Sequence, residues 1–199
     1  MLMDDTKARI TAAAIQLFYE DGVKAVSMDA IAARAGVTKR TVYYHFKSKD
    51  ELMAAYLAAR DQPSLTLFAR WYDETSGGPG DKLAAIFQNL ARSARHPKWR
   101  GCGFLRTSVE LADMPGHPAI AVGAAHKKKF EAWLAAQLES AGVPGAPELA
   151  RQALLLLDGS FAVVLLHRDP SYMESAGDAA RSLILAAVAK RSGSPPASP

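Results

Sequence analysis

Apolar residues recur three and four apart along most of the chain, the spacing of amphipathic helices, and they predict an all-α fold of about nine helices without strands. A first helix over about 5–21 places Ile10, Ala14, Leu17 and Phe18 on one stripe and stops at Gly22. Two short helices follow, separated by Gly36, and a fourth opens at Ser48 carrying Leu52, Tyr56, Leu65, Phe68 and Trp71. Pro63 lacks an amide and its ring crowds the Ala59 carbonyl, so a kink or break is expected there. After a loop over 77–80, helices are expected at about 81–95, 102–111, 118–141, 147–167 and 173–190. Residues 153–166 are apolar nearly all round, so the eighth helix must bury two faces, one of them, with Val164 near its middle, against something outside its own domain. Gly159 and Ala162 allow close backbone approach, and Leu183, Ile184, Ala187 and Val188 form a second apolar stripe on the ninth helix. Two such helices per chain predict a four-helix homodimer interface built on 147–167 and 173–190.

The stretch from Ser27 to Asp50 departs from a plain amphipathic pattern. Ser27 suits an N-cap and Asp29 complements the positive end of the helix it opens, while Ile31 and Ala35 share a face and Gly36 suits the left-handed residue that ends it. Thr38 is the next N-cap, Val42 and Phe46 point to a core, and Lys39, Arg40, Tyr43 and Tyr44 are left on the opposite side. No acidic residue falls between Asp29 and Asp50, yet Arg34, Lys39, Arg40, Lys47 and Lys49 do. Two capped helices around a tight turn, the second cationic and aromatic on its free side, form a helix-turn-helix pattern suited to the DNA major groove.

Composition narrows the alternatives. The chain has 199 residues, 49% apolar and 22% charged, with a net charge of only +4, so its basicity is local. The single cysteine, Cys102, cannot form an internal disulfide and fits a reducing cytoplasm. The acidic N-terminus reads as no signal peptide, and the most apolar stretch, 153–166, is interrupted by Asp158 and too short to span a bilayer, so no membrane association is expected. The five histidines show no metal-ligand spacing and no nucleophile and base converge, so no catalytic residue, metal site or cofactor is expected. Glu110 reads as a capping or core-edge hydrogen bonder.

The amphipathic first helix ending at Gly22, the run Ile31-Ala-Ala-Arg-Ala-Gly-Val-Thr38 and the run Thr41-Val-Tyr-Tyr-His-Phe-Lys-Ser-Lys-Asp-Glu-Leu52 resemble the tetracycline-repressor (TetR) family of bacterial transcription regulators. The motif covers roughly residues 5–55, and Arg40 stands where many members carry Gly. The resemblance implies a cytoplasmic homodimeric repressor of double-stranded operator DNA, released by a small organic effector. It divides the chain into a helix-turn-helix domain (1–50), an effector-binding and dimerisation domain (51–191) and a mobile tail (192–199). Residues Thr38 to Tyr43, including Lys39 and Arg40, are expected at base edges, and Ser27, Thr41, Tyr44, His45, Lys47 and Lys49 at phosphates.

The same resemblance implies an effector pocket in the second domain, for which Trp71, Phe87, Cys102, Phe104, Ser108, Phe130 and Trp133 are the candidates, with Glu110, His126 and Thr107 as further polar groups. Two alternatives stand beside this reading: a redox-responsive regulator switched through Cys102, and a helical small-molecule-binding protein without DNA binding.

Overall fold

In a computed structural model describing residues 2–192, nine α-helices and no strands are found among the described residues. They are α1 (Leu2–Asp21), α2 (Met28–Ala35), α3 (Lys39–His45), α4 (Lys49–Asp73), α5 (Pro79–Ala94), α6 (Gly103–Glu110), α7 (Pro118–Ser140), α8 (Ala146–His167) and α9 (Ser171–Ser192). The helical boundaries follow local chemistry. Ser27 Oγ accepts from Ala30 N at 3.1 Å and Thr38 Oγ1 from Thr41 N at 3.1 Å, each supplying an acceptor to the unpaired amides of a first turn. Gly36 ends α2 at φ 63°, ψ 41°, a left-handed conformation that a Cβ disfavours. Ser48 caps α4 through Glu51 N at 3.1 Å, and the Glu51 carboxylate reaches back to Lys47 N at 2.7 Å.

Three local expectations are corrected. Helix α4 runs unbroken through Pro63 from Lys49 to Asp73, so of the kink or break expected there the break does not occur, with Tyr56 and Leu57 buried before the proline and Phe68 and Tyr72 after it. Packing of both flanks outweighs the one backbone bond a proline removes. Pro79, assigned to a loop by its glycine neighbours, is the first residue of α5, where its missing amide costs nothing. Helix α9 extends to Ser192, so only 193–199 of the expected mobile tail lies beyond it, and that segment falls outside the described residues.

The chain divides into two compact units. The first comprises residues up to 64 together with 102–126, so α6 and the start of α7 belong with the N-terminal helices. Its core is built from Ile10, Ala14, Phe18, Ile31, Val42, Phe46, Leu52, Tyr56 and Leu57, joined by Phe104, Leu111 and Ala119. His117 accepts from Ala119 N at 3.1 Å through Nδ1 and turns Nε2 to within 3.2 Å of Asp50 Oδ1.

The second unit comprises 65–101 and 127 onwards, and packs α5 against α9 and α9 against α8. Arg181 on α9 pairs with Asp81 on α5 at 2.6 Å, Arg95 with Glu174 at 2.7 Å, and Lys127 with Asp158. Helix α8 spans 22 residues and contains an 18-residue window of mean hydropathy 1.7, long and apolar enough to cross a membrane by length and composition. The expectation of a segment too short for this counted only 153–166.

Candidate nucleic-acid interface

Helix α3 has one side fixed in the core and one side free. Val42 and Phe46 are 0% and 1% exposed, whereas Tyr43 and Tyr44 are 45% and 69% exposed and Lys39 and Arg40 lie on the same outer side. Tyr44 leans edge-on against His45 with ring centroids 5.2 Å apart, and Lys7 of α1 sits 5.3 Å over the Phe46 ring. The α2–α3 pair is tied to α1 by Arg9, whose Nη2 donates to the Ala35 carbonyl at 2.6 Å, and by Arg34, which donates to Gln16 at 3.1 Å.

The candidate DNA-contacting residues differ in how free they are. Arg40 and the Lys47 ammonium extend into solvent with no hydrogen bond or ion pair among the described residues. Lys39 is paired with Asp29 at 2.8 Å, and that hydrogen bond, with the carboxylate's charge, holds its pKa above the ordinary lysine value. Ser27 and Thr38 spend their hydroxyl oxygens on caps, and Thr38 and Thr41 share a further hydrogen bond of 2.8 Å. Lys49 is turned back: its Nζ donates to the Lys24 carbonyl at 3.0 Å, and partial burial lowers its pKa despite the nearby charges of Asp50 and Glu110. The Asp29 partner of Lys39 and the Arg9 contact went unrecognised in the sequence, where Asp29 reads only as a first-turn acid.

This arrangement of an N-terminal helix, two capped helices, an exposed cationic-aromatic face and six further helices has close parallels. The sequence profile of the bacterial regulatory proteins of the tetR family matches residues 10–56. A putative TetR transcriptional regulator from Streptomyces avermitilis is 30% identical, with a TM-score of 0.74 over 88% of this chain and 97% of that one. The chain belongs to the TetR family.

SCO4454, a TetR-family transcriptional regulator from Streptomyces coelicolor, is 26% identical with a TM-score of 0.76, over 91% of this chain and 96% of that one. The HTH-type transcriptional regulator SrpR of Pseudomonas putida is 43% identical over 60 residues, 30% of this chain. That match spans only 28% of SrpR, so the likeness at this level is confined to the DNA-binding end. TetR-family proteins are DNA-binding transcriptional regulators and not enzymes, and so is this chain.

The seven pocket candidates fall into separate surroundings. Trp71, Phe130 and Trp133 come together with Phe68 and Tyr72 in one aromatic cluster, with centroid distances of 5.4–5.9 Å. Phe87 is fully buried beside Gly177 of α9. Cys102, Phe104 and Ser108 belong to the first unit, where Phe104 stacks on the His126 ring at 3.7 Å and Ser108 Oγ donates to the Phe104 carbonyl at 3.0 Å. His126, 3% exposed, bonds Asp61 at 2.8 Å through Nδ1, a pairing across 65 residues that no spacing announces. The three cavities described in the second unit are lined by other residues. Among the described residues no three potential ligands gather to hold a metal ion.

On α8 and α9 the outward positions are now assigned. Leu155, Gly159, Ala162 and Leu166 follow one another at helical spacing on the exposed side of α8, with Leu155 67% and Leu166 77% exposed. Val164, expected at the middle of an interface, is 0% exposed and faces its own unit instead. A one-residue change of phase on a helix turns a side chain by about 100°, which the uniformly apolar sequence does not resolve. Leu155 and Leu156 with Ala179, Leu183 and Ala186 line an apolar groove of about 660 Å3 between the two helices.

Proposed function

We propose that this chain is a cytoplasmic, homodimeric repressor that places α3 of each subunit in a major groove of its operator and leaves the DNA when a small organic effector binds. The observation that carries the DNA-binding part is the outer face of α3, where Arg40, Tyr43 and Tyr44 stand exposed on a helix whose other side is locked into the core. In this reading Thr38, Lys39, Arg40 and Tyr43 face base edges, and Ser27, Thr41, Tyr44, His45 and Lys47 lie along the phosphates. Lys49, engaged with the Lys24 carbonyl, is a weaker candidate for a phosphate than Lys47.

The dimer reading rests on the exposed leucines of α8 and α9. An apolar stripe of this kind on a helix pair is covered in solution, and a second copy covers it with the same surface. The effector reading rests on the cluster of Phe68, Trp71, Tyr72, Phe130 and Trp133, in which Trp71 and Trp133 keep part of their surface open. Such a lining suits a largely apolar organic compound.

The deciding experiment is a gel shift with the full chain on the DNA upstream of its own gene. A complex is expected that weakens about 10³–10⁵-fold between low and moderate salt, as about 6–10 phosphate contacts require. Folded protein that forms no complex at low salt overturns the reading.

A further inference from the structure

Lys24 lies in the loop between α1 and α2, three residues before the Ser27 cap, and is held on three sides. Its amide donates to Glu110 Oε2 at 2.9 Å. Its carbonyl accepts from Lys49 Nζ at 3.0 Å, and its own ammonium pairs with Asp113 at 3.0 Å. Two of these partners come from α6 and the turn after it, the third from the start of α4. None of the three lies within α2 or α3.

Backbone geometry shows that the loop accommodates this contact. Gly22 has φ +89°, and a Cβ there would stand 2.9 Å from Glu110 Oε1, so the carboxylate occupies the space a side chain would need. One turn earlier on α6, Arg106 Nη1 donates to the Tyr19 carbonyl at 2.8 Å, in the last turn of α1, where carbonyls lack helical partners. Arg106 and Glu110 stand four apart and so share a face of α6. That face grips the end of α1 and the loop after it with charge-assisted bonds to main-chain atoms.

We propose that Glu110 and Lys49 are positioning residues for operator binding: through their bonds to Lys24 they fix the α1–α2 loop from both sides and thereby the placement of α2 and α3. Helices α2 and α3 retain their own caps, the Gly36 turn and the Ile31, Val42 and Phe46 core when the grip is lost. Loosening the loop therefore affects where the reading head sits more than whether it folds. Specific binding demands that placement; electrostatic binding to arbitrary DNA does not. The Glu110–Lys24 bond, with Arg106–Tyr19 and Lys24–Asp113, ties α6 and the turn after it to the end of α1 and the loop before α2.

The inference rests on the operator-binding reading, and one set of titrations separates the two. Wild type, Glu110→Ala, Glu110→Gln, Lys49→Met and the double variant Glu110→Ala/Lys49→Met are titrated against the promoter fragment and against a random duplex of equal length, with thermal melts alongside. Glu110→Ala is expected to lose about tenfold in promoter affinity, the scale of one charge-assisted hydrogen bond, with random-duplex affinity unchanged. Glu110→Gln keeps an acceptor for the Lys24 amide and is expected to fall between wild type and Glu110→Ala. The double variant is expected to lose less than the product of the two single losses, because both residues hold one loop.

Wild type that binds neither DNA overturns the operator reading itself. Wild type that binds while Glu110→Ala retains promoter affinity overturns the positioning role. So does a parallel fall on both duplexes. A Lys49→Met loss seen equally on both, with a shallower salt slope, makes Lys49 a phosphate contact and removes it from the proposal.

Discussion

Lys39 of α3 and Asp29 of α2 form an ion pair of 2.8 Å across the helix-turn-helix, so the reading helix carries one of its cations already neutralised. An exposed pair of this kind adds little to stability, and both side chains remain more than half open to solvent. Its consequence is for DNA: a phosphate must compete with Asp29 for Lys39. Asp29→Asn is therefore expected to strengthen binding to random duplex and to steepen the salt dependence by about one counterion per subunit. Fluorescence anisotropy over a series of KCl concentrations measures both; an unchanged slope means that Lys39 does not reach the backbone.

The Arg40 guanidinium and the Lys47 ammonium are both exposed and unpaired among the described residues but sit at different places on the reading head. Arg40→Ala is expected to cost about 1–3 kcal/mol on the operator and to relax preference at one base pair of each half-site. Lys47→Ala is expected to weaken all sequences alike and to flatten the salt slope. Binding selections from a randomised duplex library distinguish the two. An Arg40→Ala selection identical to wild type removes Arg40 from base readout.

What the sequence disclosed is what neighbours in the chain decide. Ser27, Gly36 and Thr38 act within a turn of their own position, so their roles are legible from residue type and spacing. The inward Val42 and Phe46 follow from a four-residue period. The grip on Lys24, the Asp61–His126 pair and the Arg9 contact join residues 25 to 89 positions apart, and no periodicity marks such partners. The aromatics at 71, 130 and 133 read as pocket candidates together with Phe104, yet spacing alone does not say that they meet each other while Phe104 meets His126. On α8 the uniform apolarity concealed the phase: Val164, expected on the interface, is buried, and Leu155 stands outward.

That phase gives a test of the dimer. Leu155→Glu and Leu183→Glu place a charge on an outward face and are expected to yield folded monomers, read by light scattering coupled to gel filtration. Val164→Glu buries a charge within the subunit and is expected to cost more than about 3 kcal/mol of stability. A monomeric wild type, or dimeric Leu155→Glu and Leu183→Glu variants, rules out this face.

Tyr56 gives the fold a dependence on alkaline pH. It is 1% exposed, packed 5.5 Å from the Phe18 ring, and burial raises its pKa from the ordinary 10.0 to about 12, opposed by the cations of Arg60 and Arg106. The neutral phenol is the form the folded state favours. Below pH 10 both folded and unfolded chains carry the proton and the contribution is complete. Between pH 10 and 12 the unfolded chain releases it while the folded chain retains it, so stability falls through this window, by roughly 3 kcal/mol once the folded pKa is passed. Tyr56→Phe cannot ionise and lacks this loss, whereas the lysine titrations are common to both proteins. Denaturant unfolding of wild type and Tyr56→Phe from pH 8 to 11.5 is expected to show a gap that moves steadily against wild type above pH 10. A gap that stays constant over this range means that the Tyr56 phenol is not desolvated.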